Sequence, residues 1–387
     1  MKLTQQFRLV VKAGKHDREH CPVSFRLAGV LSANGQQAND AEIVGMRLEN
    51  GDVPVDFQVT GEGDERTLHW IVDRLPANET ATYIVTAKEG GAPARSGADE
   101  AGVKFVESEH KLDIVIDGEY ATSYVYDPAL AKPYIGPIVG PRGVSYTRLD
   151  FETKEHPHHR SIWLGIGDVN GIDAWNEPAE RYGRQIVSGP VETLAGPVMG
   201  RLLSRQTWTN FAGKPQMSET RIVTFYRTPA NARIIDLEFE FVASHGRVEF
   251  GATKEAGPLG IRLAESMKVD NGGTMVNSYG SVGEEECWGQ RAQWCDYCGN
   301  AGDLLLGIAA FDHPENEDHP TYWHIRNYGL MAPNNLYFLG GKLLKPGQKI
   351  RYKYRLYFHE GDTAQAKVAD RYQDYIHPPK VEVVKEN

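Results

Sequence analysis

Apolar and polar positions alternate with a period of two wherever a regular pattern can be read along the chain. The segments Phe7–Val11, Leu68–Val72, Ala81–Val85, Arg233–Val242 and Arg351–His359 all carry it, and that period marks a strand with one face buried. In the last of them Tyr352, Tyr354, Leu356 and Phe358 share one face, while Lys353, Arg355 and His359 take the other. This predicts a half-buried antiparallel strand. Turn signals such as Asn50-Gly51, Asn170-Gly171, Asn271-Gly272 and Pro346-Gly347 punctuate the alternating runs, as hairpins require. The chain is therefore expected to be all-β. One helix is predicted, capped by Asp362 or Thr363 and running to about Tyr375, where His377-Pro378-Pro379 stops it. It is expected as a short carboxy-terminal helix closing the sandwich.

The stretch Glu89–Glu100 is small, polar and rich in glycine, which reads as a linker. It divides the chain into a small immunoglobulin-like β-sandwich over residues 1–100 and a large β-sandwich over residues 101–387. Composition supports many turns: 40 glycines and 21 prolines stand among 387 residues. A net charge of -10 argues against nucleic acid or an anionic membrane as the main partner. The longest apolar run, Leu304–Phe311, is far shorter than the roughly 18 residues of a spanning helix. The amino terminus lacks the apolar core of a secretory signal, and the four cysteines do not make a disulfide framework. A cytoplasmic protein with reduced thiols is expected, and a homo-oligomer is compatible with this composition.

The densest ionisable cluster is Glu155-His156-Pro157-His158-His159-Arg160. An extended backbone would send His156 and His158 to one side and His159 to the other. Imidazole moves protons near neutral pH and is also a common metal ligand. A second cluster joins Lys254 and Glu255 to Arg262 and Glu265; a third spans Trp288–Gly299; a fourth places His324 and Arg326 on one strand face. The spacing of Cys295 and Cys298 is that of a zinc knuckle or redox pair, but the second ligand pair and the strand–helix context of those motifs are missing. Six of the seven tryptophans, Trp163, Trp175, Trp208, Trp288, Trp294 and Trp323, fall in the middle of the large domain, and four of them adjoin these clusters. Aromatic faces beside polar groups suit a ligand with both C–H faces and hydroxyls, such as a sugar. Dinucleotide, Walker A, nucleophile-elbow and zinc-protease motifs are absent from the sequence.

Several of these segments resemble a bacterial family carried under the label "methane oxygenase PmoA" and, otherwise, as a domain of unknown function. They are KPY at Lys132–Tyr134, HPHHRSIWLGIGDVNGIDAW at His156–Trp175, TKEAGPLGIRLAES at Thr253–Ser266, WGQRAQWCDYCG at Trp288–Gly299, GIAAFDHPEN at Gly307–Asn316 and YWHIRNYGL at Tyr322–Leu330. Cys295 and Cys298 depart from the family pattern. The oxygenase label fails physically, because membrane methane monooxygenase subunits need spanning helices that this sequence lacks. The resemblance instead implies that the large domain is a β-supersandwich similar to galactose mutarotase and related carbohydrate-active proteins.

The expected function is a carbohydrate-active enzyme working at or near an anomeric centre, as an epimerase, glycoside hydrolase or lyase. His158, His159 or His324 would act as acid and Glu265 or Glu255 as base. His156, Arg160, Trp163, Asp168, Asn170, Trp175, Arg262, Trp294, Asp296 and Arg326 would hold the sugar. No cofactor is required by this reading. Two alternatives stand beside it: a metal-dependent enzyme with His156 and His158 as ligands, and a non-catalytic sugar-binding protein.

Overall fold

A computed structural model describes residues 4–30, 32–33, 36–37, 41–89, 101–149, 155–179, 181–255 and 257–384. The expected linker at 89–100 lies, beyond Glu89, outside the described residues. The chain forms two compact units, one of Met1–Val103, Ala195–Met199 and Ala369–Asn387, the other of Lys104–Leu194 and Gly200–Val368.

The first unit is a sandwich of antiparallel sheets. One sheet runs in the order Lys380–Val384, Thr4–Lys12, Thr80–Glu89, Ala41–Leu48 and Val53–Pro54, and the other in the order Arg18–Arg26, Thr67–Leu75 and Phe57–Thr60. Alternation sends Phe7, Leu9 and Val11 from one sheet and Leu68, Trp70 and Val72 from the other into a single core. The carboxyl end belongs to this unit, where the sequence reading assigned it to residues 101–387. Val381 stands opposite Val11 in the sheet, and the buried Arg18 guanidinium donates to Asp374 Oδ1 at 2.9 Å. Arg371 holds the other oxygen of Asp374 at 2.8 Å. The helix itself is shorter than expected, Val368–Ile376. Asp362 caps a separate turn, accepting from Ala364 N and Gln365 N, and Lys367 at φ 50° breaks the path between that turn and the helix.

Among the described residues the second unit has two large, mostly antiparallel sheets and only short helices: a sandwich-type fold consistent with a β-supersandwich. The nine-stranded sheet is built on long alternating strands, among them Met199–Thr209, Pro215–Tyr226, Ala232–Val242 and Lys349–Glu360. The eight-stranded sheet ends in the order Tyr134–Ile135, Ile162–Leu164, Leu259–Arg262, Leu330–Pro333 and Trp323–Arg326. The layers meet through side chains such as Tyr124, whose hydroxyl donates to Ser204 Oγ at 3.0 Å, and Tyr146, which packs edge-on against Phe358. Lys349–Glu360 departs from the half-buried expectation: Arg355 and His359, on the face expected to be solvated, are buried too.

Candidate functional site

The histidine segment is a turn and not a strand. His156 sits at φ 50°, and its carbonyl accepts from His159 N at 3.0 Å. Folding back in this way brings together all three imidazoles, which an extended chain would have split between two faces. His156 and His159 stack at 4.8 Å and 6°, and His158 meets His159 edge-on at 4.5 Å. The stack continues on both sides, to Tyr328 against His156 at 4.8 Å and to Trp163 against His159 at 4.9 Å. Trp163 is buried because its cross-strand partner is Gly260: a Cβ there would lie 2.4 Å from the indole ring. Trp175 closes on the column edge-on.

Charged groups brace this column from two sides. On one, Glu155 accepts from Arg262 Nη2 at 3.1 Å and Lys268 Nζ at 3.3 Å. Burial works to raise its pKa, but the hydrogen bond and charge of Arg262, with Lys268, outweigh burial and hold it at about 2. Arg262 is fully buried, lies 4.8 Å from the Tyr328 ring centre, and stands 3.4 Å from His159 Nδ1. On the other side, Glu177 receives Lys132 Nζ at 2.6 Å and both terminal nitrogens of Arg160, at 2.5 and 2.9 Å. Lys132 also donates to the carbonyl of Trp175 at 2.8 Å, which fixes that residue's backbone. Burial pulls the Lys132 pKa down to about 8, against the upward pull of Glu177.

Beside the column opens a cleft of about 160 Å³. His156, His159 and Trp175 line it together with Asn176, Lys254, Glu255, His324, Arg326, Tyr328 and Leu330. Asn334 ties down the Lys254–Glu255 corner by donating to the carbonyls of Thr253 and Lys254. Burial lowers the pKa of His324 to about 4, against a backbone hydrogen bond at Lys254, and lowers that of His158 to about 4 with help from the Lys132 charge. Burial, then the neighbouring His158 and Arg262, put His159 far below the ordinary histidine range, and His156 is lowered mainly by burial. All four imidazoles are therefore neutral at pH 7, which is the form of a base, a hydrogen-bonding group or a metal ligand. His324 Nδ1 and His158 Nε2 are buried without a hydrogen-bond partner.

Of the residues expected at a site, His156, His159, Trp175, Glu255, His324 and Arg326 share the cleft, while His158, Arg160, Trp163 and Arg262 support it. The others are elsewhere. Asp168 Oδ1 accepts from Gly171 N at 2.7 Å, and Asn170 bonds Gln216 and Glu249 N, so both hold a hairpin turn. Glu265 is exposed and paired with Lys268 and Arg148. Trp294 and Asp296 are buried in the nine-stranded sheet. Cys295 and Cys298 are free thiols on opposite faces of one strand, so their spacing makes no pair. Tyr328 was missed: it lies in the turn that follows Trp323–Arg326, where strand alternation no longer fixes which way a side chain faces.

Asp296 belongs to another cluster. Its Oδ1 lies 3.0 Å from His359 Nε2, and its Oδ2 accepts from Cys298 Sγ at 3.3 Å and Thr363 Oγ1 at 2.6 Å. Among the described residues, Asp296, Cys298 and His359 are the one group of three whose donor atoms come within 4.8 Å of one another as metal ligands would. The expected ligands His156 and His158 form no such group.

The profile of a family of unknown function, DUF6807, matches residues 111–373. The chain belongs to DUF6807. No curated protein matches it. Solved structures similar to this DUF6807 chain include a protein in glycosyl hydrolase family 38 from Enterococcus faecalis, with TM-score 0.47 and 12% identity over 99% of this chain and 48% of that one. Another is an alpha-mannosidase from Enterococcus faecalis V583, with TM-score 0.47 and 11% identity over 99% and 46%. A galactose 1-epimerase from Lactobacillus acidophilus NCFM follows, with TM-score 0.33 and 10% identity over 68% and 100%. The DUF6807 chain thus spans about half the length of the first two. Likeness this weak carries no argument about chemistry, and nothing in these matches supports the methane-oxygenase label.

Proposed function

We propose that the cleft binds one small polyhydroxylated ligand of the carbohydrate class. The observation that carries this reading is the lining itself: neutral imidazoles of His156, His159 and His324 beside the rings of Tyr328 and Trp175. A neutral imidazole is donor at one nitrogen and acceptor at the other, which matches a hydroxyl group, and ring faces match a sugar's C–H faces. The volume of about 160 Å³ lies below the roughly 300–1,000 Å³ of pockets for drug-sized ligands, which favours a single sugar unit. Turnover at an anomeric centre needs a proton donor as well as a base. Glu255 lines the cleft where a base would stand, but burial keeps the imidazoles neutral and so without a ready proton to give, which supports binding over catalysis.

Saturation-transfer NMR over a panel of monosaccharides, sugar acids and methyl glycosides tests this. At least one compound should receive magnetisation from the protein, and His324→Ala and Tyr328→Ala should weaken that signal at least tenfold while circular dichroism stays native. Spectra of the bound compound should stay constant over hours; new sugar signals would restore the catalytic reading. Absence of binding across the panel, or binding indifferent to both substitutions, overturns the assignment.

A further inference from the structure

We propose that Asp296, Cys298 and His359, with the Thr363 hydroxyl, form a closed structural site for one zinc-class divalent cation, apart from the cleft. The strand register builds it. Cys298 stands opposite Gly307, and Gly307 stands opposite His359 on the next strand. A Cβ at 307 would lie 2.2 Å from the His359 ring and 2.9 Å from Cys298 Sγ. The bare backbone between them is what lets two side chains from strands that are not neighbours lean together over the middle one. Asp296 lies two residues before Cys298 and so on the same face. Thr363, in the segment after Lys349–Glu360, closes the group.

The donor set and spacing fit zinc. Thiolate, imidazole and carboxylate are each groups that zinc takes as ligands, with bonds of about 2.0–2.3 Å that put tetrahedral neighbours roughly 3.3–3.5 Å apart. His359 Nε2 stands 3.0 Å from Asp296 Oδ1 and Cys298 Sγ 3.3 Å from Asp296 Oδ2, and one donor atom of each residue lies within 4.8 Å of the other two, so a cation would draw the three together through one carboxylate oxygen. Thr363 Oγ1, 4.0 Å from Cys298 Sγ and bonded to Asp296 Oδ2, supplies the fourth donor. Charge fits too: a thiolate and a carboxylate neutralise a divalent ion, where residues almost free of solvent exposure could not hold an unbalanced one. Binding releases the Cys298 thiol proton to solvent.

The test uses the full-length protein, purified without chelator for zinc analysis, then stripped by unfolding in chelator and refolded with Co²⁺. The expected result is one equivalent of zinc as purified and, with cobalt, a near-ultraviolet thiolate-to-cobalt charge-transfer band. Cys298→Ser should lose the band and weaken cobalt binding beyond the roughly 10–100-fold that removing an outer partner costs. Cys295→Ser, on the opposite face, should keep both. If Cys298→Ser fails to fold, His359→Asn is measured in its place and should shift the cobalt visible bands and weaken binding. A metal-free protein that also refuses Co²⁺, or a band that survives Cys298→Ser, overturns the site and leaves a hydrogen-bonded network. The sugar-binding cleft stands or falls separately by the NMR experiment.

Discussion

Glu177→Gln removes the carboxylate shared by Lys132 and Arg160, and the structure sets how much that can cost. Holding Lys132 charged in the folded protein, with its pKa lowered from 10.5 to about 8, costs about 3 kcal/mol at pH 7. Without Glu177 the lysine is driven to release its proton, and that route has a ceiling of about 5 kcal/mol at pH 7. The added loss through Lys132 is therefore on the order of 1–2 kcal/mol at most. Arg160, whose side chain is 12% exposed, loses a two-pronged charged contact worth about 1.5–3 kcal/mol. The total should be about 3–4 kcal/mol at pH 7. The sign with pH follows: a lysine with a lowered folded pKa destabilises below that pKa and is relieved as pH rises towards its unfolded value. At pH 9 the native lysine has largely lost its proton as well, so the deficit of the variant should shrink by about 1 kcal/mol. Urea unfolding followed by tryptophan fluorescence at pH 7, 8 and 9 measures this. Introduced into Lys132→Met, the same substitution should cost the same at every pH. A deficit that is flat with pH in the native background, or one that grows, refutes the argument.

Two further outcomes follow from the same site. Because His324 is 5% exposed and its pKa is lowered from 6.5 to about 4, it contributes stability above pH 6.5 that is lost as pH falls towards 4, up to about 3 kcal/mol. His324→Asn should flatten the unfolding profile over that window, and sugar binding should be level from pH 8 to 6. Gly260→Ala puts a methyl group into the Trp163 ring; it should cost about 1–3 kcal/mol by overpacking and weaken cleft binding, both measurable on one sample by thermal unfolding and NMR titration.

Much of the fold was legible because strand alternation is a local property. Thr4–Lys12, Thr67–Leu75, Thr80–Glu89, Ala232–Val242 and Lys349–Glu360 all fall where period two was read. What alternation cannot show is partnership at a distance. The pairing of Lys380–Val384 with Thr4–Lys12 joins segments more than 360 positions apart, and the alternation within each does not say that the other is its partner. Nor does alternation show what covers the second face of a strand. His359 looked solvated because its neighbours Lys353 and Arg355 are charged, yet the segment carrying Thr363 lies over it.

The candidate site shows the same division. Its residue types were legible: histidines, tryptophans and arginines that sequence alone singled out do meet at the cleft. Their arrangement was not, because it depends on one backbone angle, the positive φ of His156, which turns a segment of mixed facing into a stack of rings. Glycine was read as a marker of turns, and at Gly51 and Gly171, each with positive φ, it is one. Gly260 and Gly307 do something different: they lie inside strands, have no positive φ, and leave room for a large side chain from the neighbouring strand. One admits the tryptophan under the histidine stack, and the other admits His359 beside Cys298. A glycine within a buried strand therefore points across the sheet to the side chain that lies over it, and in this protein it does so at the histidine stack and at the Asp296–Cys298–His359 cluster.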